Sequence, residues 1–401
     1  MVITGNQQLV KRLNQLAILR AVRAHPGISR SEVASVVRLT KSTIGHLVEA
    51  LIEEGWLDES PTPTPTHTGR RPTPLHLDQT RKFVLGASIN NQQIELVATS
   101  LRGELRETFL APADRELGTV LDTLAALITR FAATLDPARQ QIVGIGLGVP
   151  GTVDEARGVL RYSEQTGWHD APIRDMLHAR LADAGLHRLP LILERAVNCT
   201  AFLHFEREKI EGEGPLLYVH VGEGVAASVV AHQRILRGHN GVAGSIAHLQ
   251  MQADGPLCRC GQRGCANTLM SLPAMCAAFG QDLAALEAAS AAGEVAAHAV
   301  QREAGSQLGR LLADLDRLFD PSHILVGGPA FRLSGPYLAS AQAMLSACAR
   351  RHSAAKTIKL VSLAHNTLAL GAAAAALHVL LSCPIEREAL ETAPTSLSIL
   401  A

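Results

Sequence analysis

Three of the seven cysteines in this chain of 401 residues lie within eight positions, in the stretch CRCGQRGC. They are Cys258, Cys260 and Cys265, and the histidine that completes the set is His248. Three thiolates and one imidazole satisfy the tetrahedral coordination of zinc, so this Cys3His cluster predicts a closed structural zinc site. Gly261 and Gly264 allow tight folding around the ion, which would hold a loop that has few apolar residues of its own. The alternative is a loop with three free thiols.

The remaining cysteines are isolated in the sequence, which is typical of reduced, packed thiols and not of a disulfide framework. They are Cys199, Cys276, Cys348 and Cys383. Apolar residues make up 47% of the chain, which is enough for sizeable cores, and 401 residues predict two or three domains. No apolar run approaches the roughly 20 residues that a bilayer span requires, and the polar start lacks the apolar run of a secretory signal. We therefore expect a cytoplasmic protein.

Charge is divided unevenly between a basic head and an acidic body, although the whole chain has a net charge of zero. Residues 1–82 contain 11 lysines and arginines against 7 aspartates and glutamates, a balance of +4, and the remainder contains 26 against 30, a balance of −4. This division favours a polyanionic partner for the head.

Three segments of the head combine apolar residues at helical spacing with helix-capping residues. Ser29 and Glu32 form a predicted capping box for the second helix, and Thr40 is the predicted cap of a third helix that ends near Gly55. The stripe that the third helix is expected to bury consists of Ile44, Leu47, Val48 and Leu51. Two helices, a tight turn and a longer third helix match a helix-turn-helix.

The start of the third helix carries polar side chains that are suited to contact base edges or phosphates. The candidate DNA-binding residues there are Lys41, Ser42, Thr43 and His46. Gly45 lies among them and costs the helix about 1 kcal/mol relative to alanine. It either permits close approach to the DNA groove or reflects the tolerance of an exposed helix to substitution.

A segment with five prolines follows, between two short predicted strands, WLDES and LHLD. Its Thr-Pro alternation favours an extended conformation. A strand, a loop and a returning strand after a helix-turn-helix form a wing, and Arg70 and Arg71 at its tip suit a narrow minor groove or phosphates. The alternative is a stiff interdomain linker with two solvated arginines.

From residue 83 the sequence alternates between predicted strands and helices, which indicates an α/β body with two lobes. The predicted strands include FVLGASI, IELVATS, LPLILE and HILVGG, and the predicted helices include VLDTLAALITRFAATL, VNCTAFLHFERE and TLALGAAAAALHVLL. The motifs GIGLGVPGTVD, TGWHDAPI, LERAVN, HNGVAGSIAH, CRCGQRGC, ILVGG and ALGAAAAAL occur in this order. In their order and intervals they resemble the ROK family of sugar kinases and repressors. The resemblance covers nearly the whole chain, and the head resembles the DNA-binding domain of that family's repressors, including the stretch GRRP.

The resemblance implies an actin-like ATPase fold with a ligand cleft between two lobes, in which His248 binds zinc and also lies beside the sugar. Where the family's kinases carry Asp-x-Gly-Gly-Thr at the first phosphate loop, this chain has Ser-Ile-Asn-Asn-Gln at residues 88–92. Where they carry Glu-Asn-Asp, with the aspartate as catalytic base, this chain has Glu-Arg-Ala at residues 194–196. Because the alanine at position 196 cannot accept a proton, we expect no kinase activity.

Most residues that contact the sugar in the family are also replaced. The candidate ligand-binding residues of this chain are Arg195, Asn198, Ser245, His248 and Asn267. Ser245 and Asn267 stand where the family has glutamates, Arg195 stands where it has asparagine, and His248 is retained. The polar set predicts a different ligand, for example an anionic one with Arg195 as its charged partner. The alternatives are an internal salt bridge of Arg195, for example to Glu194 or Glu223, and a body that binds nothing and serves as a dimerising scaffold.

Taken together, these patterns predict a winged helix-turn-helix at residues 1–82, a two-lobed actin-like α/β body at 83–383 and a C-terminal tail at 384–401. The predicted function is a transcriptional regulator, a repressor of carbohydrate-related genes, which binds operator DNA as a homodimer or homotetramer and responds to a sugar or sugar derivative. The alternatives are a sugar kinase with a DNA-binding head and a DNA-binding scaffold without an effector.

Overall fold

The computed structural model describes residues 7–59, 73–207, 214–333, 335–348, 356–361 and 366–382. The chain forms two compact units. The first joins the chain up to Glu194 to the chain from Ala372 onward, and the second extends from Arg195 to Gly371. No helix in the described part of the chain is both long enough and apolar enough to cross a membrane.

The first unit begins with the three helices that the capping pattern predicts. Its elements up to the wing are α1 (Gln7–Ala24), α2 (Arg30–Val37), α3 (Lys41–Glu53), β1 (Leu57–Glu59) and β2 (Leu75–Leu77). The predicted capping box is present, because the Glu32 backbone N–H donates to Ser29 Oγ over 3.3 Å and the Ser29 backbone N–H donates to Glu32 Oε2 over 2.8 Å. Strands β1 and β2 pair antiparallel, with Leu57 opposite Leu77, so both strands of the predicted wing are confirmed.

A five-stranded sheet forms the centre of the first unit. The elements from the head onward are β3 (Lys82–Ile89), β4 (Gln93–Ser100), β5 (Leu105–Pro112), α4 (Leu117–Ala132), β6 (Gln141–Val149), β7 (Thr152–Asp154), β8 (Val159–Tyr162), β9 (His169–Ala171), α5 (Ile173–Arg180) and β10 (Leu191–Arg195). The sheet order is β10-β6-β3-β4-β5, with β3 parallel to β6 and antiparallel to β4, while β7, β8 and β9 form a separate small sheet. Leu124 and Ile128 of α4 share one buried core with Leu85 of β3 and Ile145 of β6.

The second unit is built on another five-stranded sheet, covered by helices. Its elements are α6 (Ala196–Arg207), β11 (Leu216–Val221), β12 (Val225–Ala231), β13 (Arg234–Ile235), α7 (Ala266–Met270), α8 (Leu272–Phe279), α9 (Leu283–Ala291), α10 (Val295–Phe319), β14 (His323–Gly327), a 3-10 helix (Pro329–Leu333), α11 (Pro336–Cys348), β15 (Ile358–Leu360) and the start of α12 (Thr367–Leu381). The sheet order is β13-β12-β11-β14-β15, with β11 parallel to β14 and antiparallel to β12. Leu308 and Leu312 of α10 pack in one core with Val219 of β11 and Val326 of β14.

The predicted strands of the body coincide with β3, β4, β10 and β14, and the predicted helices coincide with α4, α6 and α12. Strand β5 was not predicted. It is the edge strand of its sheet, and its exposed, partly buried and buried residues follow one another without strict alternation. A strand with this pattern lacks the period of two on which a sequence-based prediction depends.

The core of the head is completed by the closing helix of the chain. Ile44 and Leu51 of α3 belong to the same buried cluster as Ala376 and Leu377 of α12 and Ile192 of β10. The head therefore shares apolar packing with the rest of the first unit. The domain bounds at 1–82 and 83–383 stay a prediction, and the tail at 384–401 lies outside the described residues.

Candidate functional site

The start of α3 presents the candidate DNA-binding side chains on the surface of the head. Lys41, Ser42 and His46 are exposed and Thr43 is partly buried, whereas the predicted apolar stripe of α3 is buried in the core. Thr40 caps the helix, because its Oγ1 accepts a hydrogen bond from the Thr43 backbone N–H over 3.2 Å. The result is an exposed polar face beside a capped helix N-terminus, which suits contacts with phosphates and base edges.

The turn between α2 and α3 and the glycine within α3 are both unusual. Arg38 ends α2 in the left-handed conformation, with φ of 56°, and its backbone N–H donates to the Ala34 carbonyl. This conformation costs a non-glycine residue about 1–2 kcal/mol. At Gly45, an added Cβ would meet no atom within 4 Å. No contact within the described part of the chain therefore explains why position 45 is a glycine.

An ion pair ties the wing to α2. Arg30 Nε donates to Glu59 Oε1 over 2.6 Å, and this hydrogen bond raises the pKa of Arg30 above its ordinary value. The two candidate arginines at the tip of the wing, Arg70 and Arg71, lie outside the described residues. Their contact with DNA stays a prediction.

The Cys3His cluster is assembled by backbone pairing of two short segments. The Met251 N–H donates to the Gly264 carbonyl over 2.8 Å, and the Ala266 N–H donates to the Leu249 carbonyl over 2.9 Å. These hydrogen bonds bring His248 beside Cys265, although the two residues are not neighbours in the sequence.

A tight turn holds the other two cysteines. The Cys258 N–H donates to the Gln262 carbonyl over 2.7 Å, and the Gly261 N–H donates to the Cys258 carbonyl over 2.9 Å. Gly261 and Gly264 both have positive φ, 90° and 65°, and a Cβ at Gly264 would overlap the Gln252 carbonyl oxygen. The tight folding that the sequence predicts from these glycines is therefore confirmed.

The four side chains of the cluster converge with the spacing of a tetrahedral site. Their ligand atoms all lie within 4.8 Å of one another, with Cys258 Sγ 3.5 Å from His248 Nδ1 and Cys260 Sγ 3.6 Å from Cys265 Sγ. Metal bonds of about 2.3 Å to sulfur and about 2.0 Å to nitrogen place tetrahedral ligand atoms roughly 3.5–3.8 Å apart, so the residues fit a zinc ion. A backbone hydrogen bond from Gln262 lowers the pKa of the Cys260 thiol, whereas burial raises the pKa of Cys265 to about 12. A bound cation would favour the thiolate form of both.

Two candidate ligand-binding residues are buried at the start of the second unit. Arg195 ends β10 with 6% of its surface exposed, and its Nη1 donates to the carbonyl of Ala243, 48 positions away. This hydrogen bond joins Arg195 to the loop that leads to Ser245, a contact that sequence reasoning missed because no local pattern encodes it. Asn198 is fully buried on α6.

Of the other three candidate ligand-binding residues, His248 belongs to the Cys3His cluster, and Ser245 and Asn267 are near cluster residues in the sequence. Ser245 and His248 are exposed, and Asn267 is partly buried at the start of α7. The Asn267 backbone N–H donates to the Ala247 carbonyl over 2.9 Å, and its Oδ1 accepts from the Val225 N–H over 3.0 Å. The amide oxygen accepts this one hydrogen bond, and the NH2 group is the donor that the Asn267 side chain can offer.

The turn at residues 88–92, which corresponds to the first phosphate loop of the family's kinases, is closed by the side chain of Asn90. Asn90 Oδ1 accepts hydrogen bonds from the backbone N–H groups of Gln92 and Gln93, each over 2.9 Å. These N–H groups are satisfied within the protein, whereas a phosphate loop offers them to the ligand. Ala196 begins α6 and provides no carboxylate at that position.

Comparison with known proteins identifies the body. The ROK family profile matches residues 85–379, well over half of the chain. The chain belongs to the ROK family. A second profile, described as winged helix-turn-helix DNA-binding, matches residues 11–58, so the predicted head of this ROK protein is also confirmed.

Curated relatives of this ROK protein include regulators. A putative xylose repressor of Caldicellulosiruptor sp. (strain Rt8B.4) is 29% identical over 272 residues, which cover 67% of this chain and 66% of that protein. This chain thus spans just under two thirds of the length of that relative. The DNA-binding transcriptional dual regulator NagC of Escherichia coli (strain K12) is 25% identical over 352 residues, which cover 81% of this chain and 82% of that protein.

Solved ROK structures share the fold. A ROK family transcriptional regulator, described as a homologue of the E. coli MLC protein, matches with a TM-score of 0.78 and 18% identity over 96% of this chain and all of that chain. The ROK hexokinase of Thermus thermophilus matches with a TM-score of 0.61 and 27% identity over 74% of this chain and 99% of that chain. The architecture is therefore a helix-turn-helix head followed by the actin-like body of the ROK family.

Proposed function

We propose that this ROK protein is a transcriptional repressor that binds operator DNA through its head and responds to a sugar or sugar derivative bound by its body. The observation that carries the proposal is the exposed polar face at the capped N-terminus of α3, whose apolar residues are buried in the core of the head. Relatives named as a xylose repressor and as NagC support it, and they make xylose the first sugar to test. We further propose that it acts in the cytoplasm as a homo-oligomer, because each head supplies one half-site of a symmetric operator.

DNA binding is tested with duplexes from the intergenic regions that flank the gene, by fluorescence anisotropy at several salt concentrations. Arg70→Ala, Arg71→Ala and Lys41→Ala are each expected to weaken binding and to reduce the salt slope by about 1, since each removes one phosphate contact. Arg106→Ala, at an exposed position of β5, is the matched control. An unchanged slope for both wing arginines would favour the linker alternative.

Phosphoryl transfer is not part of the proposed function. The self-closed turn at Asn90 and the alanine at position 196 support this, because the first removes phosphate-binding amides and the second removes a base. A coupled assay for ATP consumption with xylose, glucose and other sugars tests it. Sugar-dependent turnover by the purified chain would restore the kinase alternative.

A structural zinc ion in the Cys3His cluster is also proposed. When bound, zinc would supply four bonds that cross-link the loop to the segment of His248, and the thiolates of the three cysteines would hold it. Elemental analysis is expected to find one zinc per chain, and Cys260→Ala is expected to lose it with a reduced folded yield. Purified protein without stoichiometric zinc would overturn this part of the proposal.

The proposed ligand contacts are Arg195, Asn198, Ser245, His248 and Asn267. Calorimetry against neutral sugars, sugar phosphates and sugar acids identifies the chemical class of the ligand. Asn267→Ala is expected to weaken ligand binding, because it removes a side-chain hydrogen-bond donor. A bound ligand regulates only if it prefers one conformation, so it must also change the operator affinity. A flat response to every compound would favour the scaffold alternative.

A further inference from the structure

The three cysteines of the Cys3His cluster differ in their exposure to solvent. Cys260 is exposed, whereas Cys258 and Cys265 are buried, with 6% and 0% of their surface exposed. At Gly261, the next residue, an added Cβ would meet no atom within 4 Å, so the tip of the loop borders open space. A small solute that approaches the loop tip therefore meets the sulfur of Cys260 before the other two sulfurs.

The exposed cysteine is also the one that an oxidant can reach. Cys260 would bind zinc as a thiolate, because a metal binds the deprotonated form of cysteine, and the thiolate is the form that attacks oxidants. An accessible thiolate with a second cysteine beside it is the combination found in cysteines that respond to oxidation. Burial shields Cys258 and Cys265 from the same attack, so oxidation is expected to begin at Cys260.

The partner sulfur for a disulfide lies beside Cys260. The distance between Cys260 Sγ and Cys265 Sγ is 3.6 Å, and a disulfide bond is about 2.05 Å long, so the two atoms must approach by about 1.5 Å. Cys265 is held in place, because the N–H of the next residue, Ala266, donates to the Leu249 carbonyl over 2.9 Å. The approach is therefore made by Cys260, which lies in the turn that borders open space at Gly261.

We propose that Cys260 is an oxidation site at which hydroperoxides open the Cys3His cluster by linking Cys260 to Cys265. The Cys260 thiolate attacks one oxygen of the peroxide, the O–O bond breaks, and Cys260 becomes a sulfenic acid. The Cys265 thiolate then attacks the sulfur of Cys260, displaces hydroxide and forms the S–S bond. The two thiolates together lose two electrons. Hydrogen peroxide accepts them and, with two protons from solvent, becomes two molecules of water.

The disulfide removes two of the four ligands of the cluster. His248 and Cys258 remain, and they are half of the set that a structural zinc site requires, so the oxidised chain releases its zinc. The loop then loses its cross-link to the segment of His248. A reductant of disulfides together with zinc ions restores the closed form, because the sulfenic acid and the disulfide are both reversible. This inference rests on the proposed zinc ion and adds its sensitivity to oxidants.

Treatment of the purified full chain with hydrogen peroxide tests the inference. A zinc-binding dye is expected to show that zinc is released with the same time course as the loss of thiols, and dithiothreitol with added zinc is expected to reverse both. Trypsin cleaves after Arg259 and Arg263, so the three cysteines of the cluster fall in separate peptides. Mass spectrometry is expected to find the peptide CGQR linked to the peptide that begins at Gly264.

Two variants separate Cys260 from the other cysteines. Cys260→His keeps four zinc ligands but removes the exposed thiolate, so peroxide is expected to release its zinc at least about tenfold more slowly. Cys276→Ser is the matched control, because Cys276 is a partly buried cysteine outside the cluster that shares the tryptic peptide of Cys265. It is expected to release zinc as fast as the wild type and to give the same cross-linked peptide.

The peptide map of the wild type decides the inference even if Cys260→His fails to take up zinc. Zinc that stays bound in peroxide, or a disulfide that joins a different pair of cysteines, would overturn it. A Cys260→His variant that holds zinc and releases it as fast as the wild type would do the same. Protein that contains no zinc when purified refutes the proposed zinc ion itself, which is a different result, and each outcome leaves the proposed DNA binding intact.

Discussion

Replacing Gly45 by alanine separates the stability of the head from its binding to DNA. The residue lies within α3, and an added Cβ meets no atom within 4 Å, so the methyl group creates no internal clash. Gly45 is four residues after Lys41 and three after Ser42, which places it on the same face of the helix. The methyl group would therefore project from the surface that is proposed to face DNA.

The two effects have opposite signs. Alanine in place of glycine within a helix stabilises the fold by about 1 kcal/mol, which corresponds to a rise in Tm of about 2–4 °C for a unit of this size. On the DNA side, a methyl group that pushes α3 out of the groove removes base contacts that are each worth about 1–3 kcal/mol, or roughly 5- to 150-fold in Kd. We expect a more stable protein that binds operator less tightly.

Thermal melting and fluorescence anisotropy on the same preparation measure both effects. Ala50→Gly is the matched control, because it changes the same helix in the opposite sense on another face and is expected to lower Tm without changing the affinity. A higher Tm with DNA affinity within about twofold of the wild type would show that Gly45 reflects tolerance of substitution. A Tm that does not rise would refute the inference drawn from the open space around this residue.

Three further predictions concern the metal loop, the helix cap and the core. Gly264→Ala is expected to abolish zinc binding, because its Cβ would overlap the Gln252 carbonyl. At Gly261 an added Cβ meets no atom within 4 Å, so Gly261→Ala is expected to keep zinc and to lose about 1–2 kcal/mol of folding stability to its left-handed backbone conformation. Elemental analysis measures the zinc content of both variants, and thermal melting measures their stability. Hydrogen bonds from Ser29 lower the pKa of Glu32, so its contribution to stability is complete above its ordinary value of 4.5 and is lost as the pH falls through the lowered pKa. The Tm difference between wild type and Glu32→Gln should therefore shrink as the pH falls below 4.5, and a constant difference would contradict this cause. Leu377→Ala opens a cavity in the core shared by the head and α12 and is expected to lower the free energy of unfolding by about 2–5 kcal/mol. Urea unfolding measures this change, and a decrease under about 1 kcal/mol would contradict that packing.

Local signals in the sequence predicted the parts of the structure that depend on neighbours a few positions apart. The capping box of Ser29 and Glu32 and the cap of Thr40 were predicted because each needs only a side chain and a backbone N–H three residues away. The Cys3His cluster was predicted for a similar reason, since residue types and spacing restrict which metals a short loop can hold. The sequence-based resemblance to the ROK family, which the profile match confirms, extended these predictions to the body.

Only the tertiary structure revealed the contacts between distant parts of the chain. The hydrogen bond from Arg195 to the Ala243 carbonyl and the packing of Leu377 into the core of the head join residues that no periodicity connects. The same is true of a groove lined by Leu249 and Leu318, because it exists only where the segment that follows His248 meets α10. The sequence by itself determined the local elements, the Cys3His cluster and the family, because these are encoded in patterns of near neighbours. The path of the chain decided which buried and exposed side chains meet, because that depends on all the packing at once.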